Sequence, residues 1–537
     1  MKQKFLKSIS LFAIASVLLT SCAKRLELVN SNDSVSTDVY KTATGYKSVL
    51  AKLYGTLSIT GNKGPAGSPD IAGGLDEGGQ VAFIRGLFNC EELPTEEAIV
   101  AWDDQTIKDY HGLKWTSSDP FVQGFYARCI YNVTLINEYL RESVDSKVAD
   151  RGIVGVEAVE IKKSRAEAKF LRAFNYWAMM DVFGKSTFIT ESDGVGAFLP
   201  IEKKRADLFV YIESELKSIE ADLLPVRTIE YGRVDQGAAW ALLARIYLNA
   251  KIYTGTDRST DAITYAKKVI GGGYTLHTNY RELFMADNDK RSNEFMFAIN
   301  CDGARTQAYG NTTFLIHAAC DADHDEYGVA GGWGGYRATK GLADLFTDLS
   351  GNTDKRAMFT TGSFNTTPTQ IAIPNTQTAV GTFSNGLHVK KFINLRSDGN
   401  APNDPKRDFC DTDFPVFRLS EMYLIYAEAF LRGGTGADAT TALNYINSIR
   451  TRAGASVVSA ATMNLQFLLD ERGRELYWEG HRRTDLVRYG LLTSSTYVWP
   501  WKGNVASGTG VDDKYNLFPI PSVNRNSNPN LSQNIGY

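Results

Sequence analysis

Residues 240–250, WALLARIYLNA, place large side chains at Trp240, Leu243 and Tyr247 and a small one at Ala244. These four positions fall on one face of a helix. A small residue between large ones lets a partner helix approach closely, which is the pattern of a tetratricopeptide helix. The pattern recurs at Tyr423, Tyr426, Ala427 and Phe430, followed by a short polar turn and a segment with Ala442, Ile446 and Ile449 at inward spacing. Generic amphipathic helices would give a similar frame. On either reading the scaffold is a stack of helical hairpins, and the expected class is mainly α with long irregular loops and a few short strands. Repeats of this kind also grip protein partners, so an adapter is one rival function.

The same periodicity predicts helices over about 164–184, 205–224, 236–250, 259–271, 418–432, 438–453 and 463–479. The first opens on Ser164 with Glu167 three residues on, the spacing of a capping box, and Gly184 is its expected end. Between the helical blocks, residues 55–95 and 296–416 are rich in glycine, threonine and asparagine. Their strand-like runs are short, such as HVKKFINL at 388–395. Long irregular segments on a rigid frame are where binding usually resides. One of them carries GGWGGY, residues 331–336, whose glycines exclude a comfortable helix or central strand and put Trp333 on a loop. A short amphipathic helix through EEAIVAW would instead bury Trp102.

At the N-terminus three lysines in MKQKFLK precede the apolar ISLFAIASVLL, a run too short to cross a bilayer as a helix. That is the form of an export signal over residues 1–21. LTSC, Leu19 to Cys22, resembles the bacterial lipobox, in which the cysteine is lipidated. Residues 22–37 then serve as a tether. The remainder reads as one compact body with an N-terminal region over 38–230 and a C-terminal region over 231–537.

Composition narrows the function. A formal net charge of −3 provides no basic field and argues against nucleic acid. Cys90, Cys129, Cys301, Cys320 and Cys410 are odd in number and scattered, so they form neither a disulfide framework nor a zinc site and are expected to be buried. DADHDE, 321–326, begins like a calcium loop but has Glu326 where glycine is needed and Gly332 where glutamate is needed. The six histidines show no paired ligand spacing, and neither a GxSxG elbow nor a GxxxxGK phosphate loop occurs. A carboxylate pair for glycoside hydrolysis is permitted by 61 acidic residues but not indicated by any spacing. ERGRELYWEGHRRTDLVRYG, 471–490, has the arginines and glutamates of an ion-pair lattice. With 26 tyrosines, 27 phenylalanines and 8 tryptophans, some aromatic surface is left to face a ligand.

LTSC, the 471–490 block and the ending YNLFPIPSVNRNSNPNLSQNIGY together resemble the SusD/RagB family of outer-membrane nutrient-binding lipoproteins. GNKGPAGSPD, LDEGG, FNCEELPTEE, NYRELFMADND and VWPWKG resemble its starch-binding branch. The resemblance implies a lipid-anchored, non-enzymatic binder on the outer face of a Gram-negative outer membrane. It would capture starch or maltooligosaccharides and pass them to a SusC-like TonB-dependent transporter. It also implies an aromatic arc at Trp102, Tyr309 and Trp333, the last two 24 residues apart as in the family. Sugar contacts are implied at Asp76 and Arg85, whose spacing is one residue longer here, and at Gln105, where the family has asparagine. No cofactor is required, but a structural calcium is implied at Asp289, Asp411 and Asp413. Flat rings suit the C–H face of a sugar, and Asp, Arg and amide groups suit its hydroxyl edge. Glycines around Trp333 are expected to leave room for the sugar. Another glycan or a peptide on the same scaffold, and a hydrolase, are the other rivals.

Overall fold

The computed structural model describes residues 36–65, 69–71, 73–104, 106–196, 198–360, 380, 381, 383 and 386–537. Cys22, the leader, most of the tether and Gln105 therefore lie outside the described residues.

The Gln236–Leu248 helix starts where the Asp235 carboxylate accepts hydrogen bonds from the amides of Gly237 and Ala238. Leu243 and Ala244 are fully buried and Tyr247 almost so, while Trp240 is half-buried. The helix packs on Ser259–Ile270, which packs on Leu419–Leu431, which packs in turn on Ala439–Arg452. Two hairpins far apart in sequence thus stack as neighbours. At the junction a Cβ on Gly434 would lie 2.9 Å from the backbone of both Ala429 and Ser259, so glycine permits the close approach there. Tyr423 and Tyr445 stack across the second hairpin with centroids 4.3 Å apart. The fold is mainly helical, as the periodicity indicates.

The longest helix, Gly155–Phe183, corrects the expected start at Ser164. Ser164 lies inside it, and its hydroxyl donates to the Glu160 carbonyl at 2.9 Å. Glu167 does not close a capping box. Its carboxylate accepts from Tyr54 at 2.6 Å and pairs with Arg233. The good helix formers upstream carry the helix back to Gly155, and Gly184 ends it in the left-handed region at φ 68°. The partner helix, Pro120–Glu142, escapes the periodicity reading. Its start is marked by Asp119, which caps the Phe121 and Val122 amides, and by proline in the first turn. Ala43–Gly55, Phe83–Glu91 and Thr312–Ala319 are further helices inside or beside segments expected to be irregular.

Strands are short and pair only in twos among the described residues. Ile99–Val100 pairs with Tyr336–Arg337, Lys185–Phe188 with Ile201–Lys204, Phe295–Ile299 with Phe414–Arg418, and Phe359–Thr360 with His388–Val389. Of HVKKFINL only His388–Val389 is strand. One hydrophobic cluster includes residues from Tyr40 to Leu531.

The 471–490 block is buried. Glu475 lies between Arg418, Arg452 and Arg356, Arg472 and Arg488 hold Asp485, and Arg482 and Arg483 reach across to Glu96 and Glu91. The five described cysteines are buried and unpaired. Among the described residues no helix is long and apolar enough to cross a membrane.

Candidate functional site

The Ile99–Val100 ribbon positions the first aromatic. After the register Val100 to Tyr336, the Ala101 amide donates to the Gly335 carbonyl at 2.8 Å, and Trp102 is delivered over Gly335. EEAIVAW is therefore not a helix. A Cβ on Gly335 would lie 2.3 Å from the Trp102 Nε1, and the backbone there has φ 97°, so glycine is required twice over. The indole remains half-buried, edge-on to Tyr336 at 5.1 Å, and its Nε1 lies 3.4 Å from the Trp333 carbonyl oxygen.

Trp333 is held from below by the end of the Thr312–Ala319 helix. Its amide donates to the His317 carbonyl at 2.8 Å and the Gly334 amide to the Cys320 carbonyl at 2.7 Å. The buried His317 ring stacks against the indole at 4.8 Å and 26°, with Nδ1 2.6 Å from the Gly331 carbonyl oxygen. Burial lowers the imidazole pKa, so the ring under Trp333 is neutral near pH 7. Tyr309, 39 % exposed, lies beside Trp333 with centroids 6.1 Å apart and rests on Phe409 at 5.2 Å. Both neighbours restrict how the rings can turn.

Arg85 projects from the Phe83–Glu91 helix, its guanidinium 4.6 Å from the Phe314 centroid and 5.5 Å from that of Trp102. Its buried Nε has no hydrogen-bond acceptor among the described residues. Asp76 is exposed on the preceding turn, where its carboxylate accepts from the Gly79 amide. A Cβ on Gly79 would lie 3.3 Å from the Arg85 Nη1, so the two polar residues close on one point. Trp102, Trp333 and Arg85 line a common cleft of about 660 Å³, together with Asp103, Asp104, Lys108 and the loop residues Gly381 and Phe383. Tyr309 and Asp76 flank that cleft without lining it. The pairing of flat rings with a donor-bearing cation matches the two surfaces of a sugar.

The glycines around Trp333 serve a purpose other than the expected one. Gly332 lies against the Cys320–Asp321 backbone, Gly334 against the Phe383 ring and Gly335 against Trp102. They admit parts of the protein, and only Gly331 faces open space. His317, which stacks under Trp333, and Phe383, which lines the cleft, were missed by sequence reasoning. Phe383 had a signal: it is a lone aromatic in a run of glycine, threonine, serine and asparagine, as Trp333 is among glycines.

The three carboxylates implied for calcium are placed differently from one another. Asp411 accepts from the Gly303 and Asn403 amides, and Asp413 from the Cys301 amide and the Tyr231 hydroxyl. Among the described residues no three acidic, histidine or cysteine side chains stand together as a metal cage. Burial, with the like charges of Asp289 and Asp411 added, pushes the Asp413 carboxyl up to about 7. A second cavity, of about 520 Å³, lies between the Ala43–Gly55 and Gly155–Phe183 helices; Tyr231 lines it, but none of the three implied calcium carboxylates does.

Comparison with known proteins gives this geometry a family. The model of the SusD family matches residues 293–537. The starch-binding protein SusD of Bacteroides thetaiotaomicron is 37 % identical, with the whole of both chains covered. This chain belongs to the SusD family. Among solved SusD-type structures, a SusD superfamily protein from Parabacteroides distasonis superposes with a TM-score of 0.68 at 21 % identity, over 92 % of this chain and 99 % of that one. A laminarin-binding SusD-like protein gives 0.67 at 20 % identity, with the same coverage of both chains. At such identities these two structures speak for the SusD fold alone.

Proposed function

We propose that the protein is a surface-anchored binder of starch-like α-glucans that performs no chemistry on them. The observation carrying this reading is that Trp102 and Trp333, 231 residues apart, converge on one cleft with Arg85, in a chain 37 % identical throughout to a starch-binding protein. Rings held by packing lose little entropy on binding, so two or three of them supply much of the affinity. The cleft is open and sugar hydroxyls must leave water, so affinity is modest. Cys22 would carry the lipid anchor at the outer membrane, and a SusC-like transporter would receive the glucan. Both are carried over from the resemblance to the family and belong to the proposal.

Calcium belongs to the proposal at Asp289, Asp411 and Asp413. Burial is the main cause of the raised Asp413 pKa, and a divalent ion there would offset the smaller like-charge contribution of Asp289 and Asp411. Added calcium should raise Tm and a chelator should reverse it; an unchanged Tm removes the ion.

The test of the main reading is calorimetric titration with maltoheptaose. Trp333→Ala should abolish or sharply weaken binding while leaving Tm nearly unchanged. A variant that binds like the wild type, or melts far earlier, refutes the platform. A glycan panel on the wild type decides between α-glucan and another saccharide, and reducing-sugar release over hours would expose a hydrolase.

A further inference from the structure

The cleft has a second aromatic wall. Phe383 is 41 % exposed, one of two exposed phenylalanines among the described residues and the one that lines the cleft. Its ring is seated on the loop that carries Trp333: a Cβ on Gly334 would lie 2.9 Å from the Phe383 Cδ1, as one on Gly335 would strike Trp102. Two consecutive glycines in left-handed conformation, φ 59° and 97°, thus seat one ring each, while Trp333 precedes them. Three aromatics therefore fan around a single Gly–Gly unit, and all three line the cleft.

The wall behind Phe383 is anchored. Val380 packs with Ile99 and Trp501 in a small buried cluster. Ile99 belongs to the ribbon that positions Trp102, so both sides of the cleft share this support. Lys502, the residue after Trp501, is fully buried and donates to the carbonyls of Leu491, Ser494 and Tyr497, which fixes the segment bearing Trp501.

We infer that Phe383 is a ligand-binding residue that extends the sugar-contacting surface beyond Trp102, Tyr309 and Trp333. It lets the protein grip an oligosaccharide from two sides. The ring contributes apolar contact with a sugar C–H face, and Asp103, Asp104 and Lys108 on the same cleft supply groups for the hydroxyl edge. The inference rests on the glycan-binding reading above.

Titration of the full chain with maltoheptaose and maltotriose tests it. Phe383→Ala should weaken maltoheptaose binding by about 10-fold, the equivalent of one ring contact, with Tm unchanged. Phe383→Tyr and Phe383→Trp should restore binding. The loss should be smaller for maltotriose, which is too short to engage every ring. A Phe383→Ala protein that binds maltoheptaose like the wild type overturns the inference. If the wild type binds no α-glucan, the function reading has failed instead, and Phe383→Ala is then titrated with whichever glycan the wild type does bind, with the same two outcomes.

Discussion

At the scale of the residue, the platform depends on what lies beneath it. The Trp333 indole stacks on the His317 ring and lies 6.1 Å from the Tyr309 ring, while the His317 Nδ1 ties down Gly331 at 2.6 Å. His317→Ala removes both the stack and the tie, so the indole gains rotamers that must be lost again on binding. Maltoheptaose affinity should fall by about 10-fold, a cost of roughly 1.4 kcal/mol. His317→Phe keeps the stack and loses only the tie, and should recover most of the affinity. Equal losses in the two variants would show that the stack is irrelevant, and near-equal melting temperatures guard against an effect of misfolding. None of this was visible in the sequence, where His317 is one of six histidines without a pattern. Trp333 itself was legible, because four glycines around one tryptophan disfavour both helix and central strand and so place the ring on a loop.

Among the elements, most long helices were legible and short ribbons were not. Gln236–Leu248 and Leu419–Leu431 announce themselves through repeated apolar spacing, but Ile99–Val100 is a two-residue strand with no period to detect. Its partner Tyr336–Arg337 lies more than 230 residues away, so only tertiary packing makes either a strand. Length alone did not guarantee legibility: the 23-residue Pro120–Glu142 was missed although Asp119 and Pro120, a cap and first-turn pair, mark its start. The ribbon nevertheless decides the site, and Gly335 is its weakest point. Gly335→Ala would put a methyl group 2.3 Å from the Trp102 Nε1 at a φ that alanine tolerates poorly. The expected result is a loss of glucan affinity of at least about 10-fold with a stability cost of only about 1–3 kcal/mol, because the helical core is untouched. Retention of full affinity would mean that Trp102 can move aside and still bind, and that the ribbon does not set its position.

On the scale of the whole molecule, the site stands on a frame locked by buried charge. Arginine and glutamate were legible in the 471–490 block, but their burial was not, since the same letters on a surface helix would read alike. Glu475 is fully buried between Arg452, Arg418 and Arg356. Burial alone would raise its pKa, but the three guanidiniums outweigh that and hold it at about 2. Glu471 is likewise held at about 2, against burial, by Arg356, Arg474 and Arg450. Both carboxyls titrate near 4.5 in the unfolded chain and lower in the folded one, so the unfolded state takes up protons first as pH falls. Their contribution is complete above about pH 4.5 and is lost progressively toward pH 2. Tm should therefore drop steeply across that window. Glu475→Gln leaves three arginines facing a neutral amide, which should cost about 3–5 kcal/mol at pH 7 and flatten the pH dependence between about 4.5 and 2. A variant that is less stable yet keeps the wild-type slope would show that acid unfolding is governed by other carboxylates.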